Sequence, residues 1–163
     1  MQEATVIPYA NMTVRLAQIK DKAAVLRLLD ELIEEVNERS GKPPKDVADE
    51  QARSRFYENL LKREDIKIFV VEDNGKTLAF ADLFILPIMR RGYYQGHIED
   101  FVVTKDRRGQ GIGSLLLQAI KDLCEQQGIK VVKLTSSLEL ASAHSFYEKH
   151  GAKFTEKMYR FDL

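Results

Sequence analysis

The chain has 163 residues, with 25 basic and 25 acidic side chains and no formal net charge. That balance removes the general electrostatic reason to expect nucleic acid or an anionic membrane surface as a partner. A single cysteine, Cys124, excludes an internal disulfide, and no apolar run is long enough to span a bilayer. The N-terminus lacks the basic and apolar stretches of a secretion signal, so a soluble, cytoplasmic protein is expected. The length suits one domain over residues 1–163, with 1–11 read as an N-terminal arm.

Thr13 to Ala17 alternates weakly and is read as a first strand. From Asp21 onward, Ala24, Val25, Leu28, Leu29, Leu32, Ile33 and Val36 form one helical stripe, ended by Ser40-Gly-Lys-Pro-Pro44. A second helix is predicted over Ala48 to Lys62, with Phe56, Leu60 and Leu61 facing inward. Ile66 to Glu72 is a strand, Asp73-Asn-Gly75 a hairpin turn, and Thr77 to Leu86 the return strand, stopped by Pro87. Met89 to Gln95 is a polar and aromatic connection, and His97 to Val103 the next strand. A helix runs to about Gln127 and stops at Gly128. Ile129 to Thr135 is strand-like, and Leu140 to His150 is helical, with Ala143, Phe146 and Tyr147 on one face. Phe154 to Phe161 alternates and is predicted to close the chain as a strand. The order is β-α-α-β-β-β-α-β-α-β, a mixed α/β arrangement.

The most informative stretch is Phe101-Val-Val-Thr-Lys-Asp-Arg-Arg-Gly-Gln-Gly-Ile-Gly-Ser114. Gly109, Gly111 and Gly113 stand directly before Leu115, Leu116, Ala119, Ile120 and Leu123, which recur at helical steps. A helix therefore starts in or just after the glycines. Its first amides are unpaired, and glycines let a phosphate approach them. A P-loop needs a lysine and then Ser or Thr after the last glycine, but Ser114 follows Gly113 directly. A Rossmann fingerprint needs other glycine spacing and a later acidic residue, where Lys133 stands here.

What remains, Arg108-Gly-Gln-Gly-Ile-Gly113, resembles the (Arg/Gln)-x-x-Gly-x-(Gly/Ala) motif of the GNAT superfamily of N-acetyltransferases, which bind acetyl-CoA. Ser145-Phe-Tyr-Glu-Lys-His-Gly151 resembles the family's late Phe-Tyr-Glu-Lys-x-Gly block. The likeness runs over residues 97 to 161 in matching order. It implies the acyl-CoA N-acyltransferase (GNAT) fold, a mixed, mostly antiparallel central sheet flanked by helices. Gly96-His-Ile-Glu-Asp100 also looks like the corresponding strand of glucosamine-6-phosphate N-acetyltransferases. Two positions depart from the pattern. Leu140 stands where the family often has Asn, and Gly151-Ala-Lys-Phe154 replaces the usual Gly-Phe.

By that resemblance, the amides of Arg108, Gly109, Gln110, Gly111, Ile112, Gly113 and Ser114 would hold the diphosphate of coenzyme A. Main-chain groups of Phe101, Val102 and Val103 would pair with the pantetheine arm as an added strand does. An amide near Val103 would polarise the thioester carbonyl, and the strands at Val103 and Leu134 would splay apart to admit the cofactor. Tyr147 is the family-matched acid for the departing thiolate and would also touch the cofactor. Strand alternation sets His97, Glu99, Phe101 and Val103 on one face, and Ile98, Asp100 and Val102 on the other. Glu99, acting through water, is the favoured base for the incoming amine. His97 stands second, because histidine exchanges protons readily at neutral pH. Asp100, Tyr93, Tyr94 and Arg90 are candidate acceptor contacts. His144 and His150 make no ligand cluster with His97, and no metal is implied.

The expected activity is transfer of acetyl from acetyl-CoA to the primary amine of a small metabolite, with acetyl-CoA as donor substrate. Homodimers are frequent in the superfamily, but no residue pattern locates an interface. A protein Nα- or Lys acetyltransferase, and a non-catalytic acyl-CoA-binding module, are the rival readings.

Overall fold

A computed structural model of the chain describes residues 11–41 and 47–163. The N-terminal arm, up to residue 10, and the Pro43-Pro44 stop lie outside the described residues. Five strands form one sheet in the order β1-β2-β3-β4-β5. They are β1 (Met12–Leu16), β2 (Ile66–Asp73), β3 (Lys76–Ile88), β4 (Tyr93–Val103) and β5 (Val132–Leu134). The first four pair antiparallel in succession, and β5 joins β4 in parallel. The helices are α1 (Lys22–Ser40), α2 (Glu50–Leu60), α3 (Ile112–Gln126) and α4 (Ala141–Lys149). This is the mixed, mostly antiparallel α/β architecture expected.

The sheet separates two cores, and strand alternation divides β2 between them. Val70, Ile68 and Ile66 pack with Phe80, Val102 and the α1 residues Val25 and Leu28. Phe69 and Val71 pack with Ala81, Leu83 and Ile98 against Ile112, Leu116 and Ile120 of α3. Each fully buried Leu, Ile or Val contributes roughly 1.5–3 kcal/mol through removal of apolar surface from water.

Four local expectations change. Phe56 is 64 % exposed and Tyr57 takes the inward position, one helical step of about 100° away. The Tyr57 hydroxyl donates to the Gln18 carbonyl at 2.8 Å. Pro87 does not stop β3, which continues to Ile88. The β2 ladder ends at Ile66 opposite Phe84, so Pro87 pairs with β4 alone, opposite Tyr94, and its missing N–H costs no bond on the vacant side. Alternation in β4 breaks between Ile98 and Phe101, since both join the α3-side core. The closing strand is not formed: residues 152–163 have no regular structure and are exposed.

The break in β4 is a bulge. Leu83 faces Ile98 but Ala81 faces Phe101, so Asp82 stands against two residues, Glu99 and Asp100. His97 and Val102 consequently belong to the α1 and α2 side, and the single-face grouping of His97, Glu99, Phe101 and Val103 does not hold. An inserted residue shifts the side-chain phase of everything after it.

Candidate active site

β4 and β5 part company at the bulge. Their ladder covers only Gly96, His97 and Ile98 against Val132, Lys133 and Leu134. Beyond Ile98, β4 runs on to Val103 with no strand on that edge among the described residues, so Phe101, Val102 and Val103 present main chain to an open fork. Unpaired strand groups of this kind accept an extended ligand as a further strand.

The chain then enters the glycine turn. Thr104 and the Lys105 amide are held by the Glu31 carboxylate of α1, each contact at 3.1 Å. Arg108 is extended and pairs with Glu35 at 2.8 Å. Burial works against the Glu35 carboxylate, but the bond to Arg108 and the charges of Arg108 and Arg39 outweigh it and hold its pKa below the usual range. The Arg108 Nε also donates to the Val103 carbonyl at 2.9 Å, so the turn is tied to the end of β4. Arg107 is engaged as well, with Gln110 at 2.9 Å and Asp73 at 3.3 Å.

Gly109 and Gly111 have φ of +74° and +79°, a region that side chains with a Cβ rarely adopt. Helix α3 starts at Ile112 with Gly111 as its cap and no capping side chain. Its first amides and the positive end of its dipole are therefore available to an anion. A Cβ on Gly113 would fall 3.2 Å from Cζ of Phe146, so glycine at that position lets α4 approach α3. Ser114 Oγ lies 2.9 Å from His150 Nε2, while His150 Nδ1 lies 2.7 Å from the Phe146 carbonyl. A carbonyl only accepts, so Nδ1 carries the proton and Ser114 donates to Nε2.

Helix α4 lays Tyr147 over the fork. Its ring meets Phe101 edge-on with centroids 6.0 Å apart, and Phe146 completes the cluster at 5.8 Å from Phe101 and 5.4 Å from Tyr147. Burial pushes the Tyr147 phenol up to about 12, so it stays protonated, as a proton donor must. Among the described residues its hydroxyl has no hydrogen-bond partner.

The acceptor-side candidates fall into two groups. His97 Nε2 and Glu99 Oε2 are 3.1 Å apart, and Glu99 is the more exposed of the pair. Arg91 donates to the Tyr93 hydroxyl at 2.6 Å, while Arg90 and Tyr94 are exposed. The residue that sequence reasoning missed is Asp82. Its carboxylate is buried beside Asp100 and receives the Asp100 amide at 2.7 Å. Burial first, then repulsion from Asp100, pushes Asp82 up to about 7. Burial and the charge of Glu99 push Asp100 up to about 6. The available signal was an aspartate inside the apolar run Leu78-Ala-Phe-Ala-Asp-Leu-Phe84.

The free strand edge, uncapped helix start and close-packed glycine fit the pantetheine and diphosphate of coenzyme A. Residues 27–152 match the family model described as Acetyltransferase (GNAT) family. The chain belongs to the GNAT acetyltransferase family. Acetyl-CoA-dependent acetyl transfer is the general activity this membership supports. A glucosamine 6-phosphate N-acetyltransferase of Trypanosoma brucei brucei is 30% identical over 154 residues, 94% of this chain and 97% of that protein. The aminoalkylphosphonate N-acetyltransferase of Salmonella typhimurium is 29% identical over 140 residues, covering 85% of this chain and 83% of its own. A predicted acetyltransferase from Clostridium acetobutylicum, solved with acetyl-CoA, superposes with a TM-score of 0.74 over 93% of this chain and 96% of its own. Its identity is 21%, so that likeness speaks to the GNAT fold. Among the described residues, no helix is long and apolar enough to cross a membrane.

Proposed function

We propose that this GNAT member acetylates the primary amine of a small, anionic metabolite by direct attack in a ternary complex. The observation that carries the transfer chemistry is the open β4 edge at Phe101–Val103, lying between the uncapped start of α3 and the ring of Tyr147. In this reading, the α3 amides hold the diphosphate and the β4 edge aligns the pantetheine. An amide near Val103 polarises the thioester carbonyl.

Glu99, beside His97, accepts a proton from the bound ammonium, through water, so that the nitrogen lone pair is free. The nitrogen then bonds to the thioester carbon and sheds its second proton to water as the tetrahedral adduct collapses; the carbon–sulfur bond breaks, and Tyr147 gives its phenolic proton to the departing sulfur. Solvent restores the proton on Tyr147. Asp100, next to Glu99 on β4, is a candidate contact for the acceptor amine.

The anionic part of the reading rests on Arg90, Arg91 and Lys133. Lys133 pairs with Glu156 at 2.5 Å, and Arg90 and Arg91 add to the field on that carboxylate. A substrate phosphate would meet the same cations, with Tyr93 and Tyr94 as walls. The two relatives act, by their names, on amines bearing phosphate or phosphonate, which supports the same class. The test is acetyl-CoA turnover across amino-sugar phosphates, aminophosphonates, polyamines and N-terminal peptides. The highest kcat/KM is expected among the phosphorus-bearing amines. A preference for peptides would replace this reading with a protein acetyltransferase.

A further inference from the structure

Helix α1 carries Arg27, Glu31, Glu35 and Arg39 at four-residue steps, which sets them in one stripe along the helix. The outer arginines pair with the inner carboxylates, Arg27 with Glu31 at 2.7 Å and Arg39 with Glu35 at 2.9 Å. Support of the helix does not account for this stripe. An acid placed before a base is the better order at this spacing, and Arg27–Glu31 runs the other way. Exposed pairs also contribute little, and here the carboxylates turn inward. The Glu31 and Glu35 side chains are 20 % and 9 % exposed, against 45 % and 43 % for Arg27 and Arg39.

What the two carboxylates meet is the chain that enters the glycines. After β4 it makes a single 3-10 turn over Lys105–Arg107, with Thr104 before it and Arg108 after it. A threonine at such a start ordinarily accepts from the amides of its own turn. Thr104 makes no such bond. Its hydroxyl donates to Glu31 instead, and the same carboxylate takes the Lys105 amide. At the far end Arg108 pairs with Glu35 and donates to the Val103 carbonyl, which commits its guanidinium to α1 and the end of β4. One helix therefore fixes both ends of the turn, and Gly109 follows directly. Glycines at positive φ impose little direction of their own, so the aim of the amides beyond them depends on how the entering chain is held. Arg27 and Arg39 offset the two acids, and the stripe adds no net charge beside an incoming anion.

We propose that Glu31 and Glu35 are positioning residues for the donor. They hold Thr104–Arg108 so that the amides of the glycine turn and the α3 start already converge before coenzyme A arrives. Each acts through the turn and not by contact with the cofactor. Groups held in place beforehand lower the ordering cost of binding, so loss of the clamp falls on the diphosphate and spares the pantetheine arm, which meets β4. The inference rests on the reading of those amides as the diphosphate holder.

Titration calorimetry of the full chain with coenzyme A, and with pantetheine, which lacks the diphosphate, tests it. The parent should bind coenzyme A at least about a hundredfold more tightly than pantetheine. Glu31→Ala should shrink that ratio by about tenfold or more, the scale of a lost hydrogen bond to a charged group, through weaker coenzyme A binding alone. Glu31→Gln keeps an acceptor oxygen for Thr104 and the Lys105 amide and should restore most of the ratio. Glu35→Ala should act in the same sense as Glu31→Ala. Should Glu31→Ala fail to fold, Thr104→Val removes the same bond from the other side and faces the same comparison, with Thr104→Ser as its rescue. A parent that discriminates, beside alanine and valine variants that keep its ratio, would overturn the clamp and leave the diphosphate reading standing. So would equal weakening towards both ligands, which marks a merely structural role. A parent that binds the two ligands equally would overturn the diphosphate reading and this inference with it.

Discussion

The Asp100 amide donates a 2.7 Å hydrogen bond to Oδ1 of Asp82, across the point where two residues of β4 oppose one of β3. The Glu99 amide leans on the same carboxylate. The bulge frees main-chain donors that the ladder no longer pairs, and Asp82 satisfies them. It also keeps β4 turned so that Phe101 faces the α4 aromatics. Asp82→Ala should therefore destabilise the fold by about 1–3 kcal/mol, the cost of buried donors left unsatisfied. Chemical denaturation measures it.

Asp82→Asn keeps an acceptor and removes the charge, so its effect depends on pH. Asp82 and Asp100 sit at about 7 and about 6, above the ordinary 3.8. The folded state therefore holds protons that the unfolded chain has lost, and their contribution to stability disappears as pH rises from about 4 through about 7. Relative to the parent, Asp82→Asn should gain stability over that window. Thermal unfolding of both proteins across it makes the comparison. A difference that does not change with pH would mean that the carboxylate is not held protonated.

Tyr147→Phe should lower kcat by roughly a hundredfold, the scale of lost proton donation. Coenzyme A affinity should change little, because the ring contacts to Phe101 and Phe146 remain. Calorimetric titration separates the two effects. An unaltered kcat would remove the assigned role.

Much of this site was legible in the chain, for stated reasons. The glycine turn announced itself because positive φ and an uncapped helix start both demand glycine at fixed spacing. The Phe146-Tyr147 pair was legible as one helix face. The bulge was not, because an alternating strand pattern carries no mark of an inserted residue, and so the faces of His97, Glu99, Phe101 and Val103 were misgrouped. Asp82 was passed over for a related reason. One aspartate in an apolar strand has meaning only once the two amides opposite it are known. The final strand was misread from true alternation, since alternation shows that a segment could pair but not what it pairs with. Phe56 and Tyr57 were exchanged by a single helical step, which adjacent aromatics do not resolve.

Gly113→Ala should couple the glycine turn to the chemistry. The new methyl would stand 3.2 Å and 3.3 Å from Phe146 ring atoms, tighter than ordinary contact, and Phe146 packs on both Phe101 and Tyr147. A loss of about 1–2 kcal/mol is expected from the overpacking, together with weaker coenzyme A binding. Thermal unfolding with and without coenzyme A would read both, the stabilisation by ligand shrinking in the variant.

Glu99→Gln should lower kcat/KM most near neutral pH and less at alkaline pH, where the amine is already neutral, while leaving the fold intact, because Glu99 is exposed. Profiles of the variant and parent that coincide would acquit Glu99 as the base.

The central claim is that the fork between β4 and β5 performs acyl transfer and does not merely hold an acyl-CoA. The most direct measurement mixes the protein with acetyl-CoA and glucosamine 6-phosphate or an aminoalkylphosphonate, and follows free thiol and amine mass together. The account predicts repeated turnovers, with one N-acetyl product formed for each thiol released. Tight coenzyme A binding with neither thiol nor acetylated amine above background, across the whole amine panel, would contradict it.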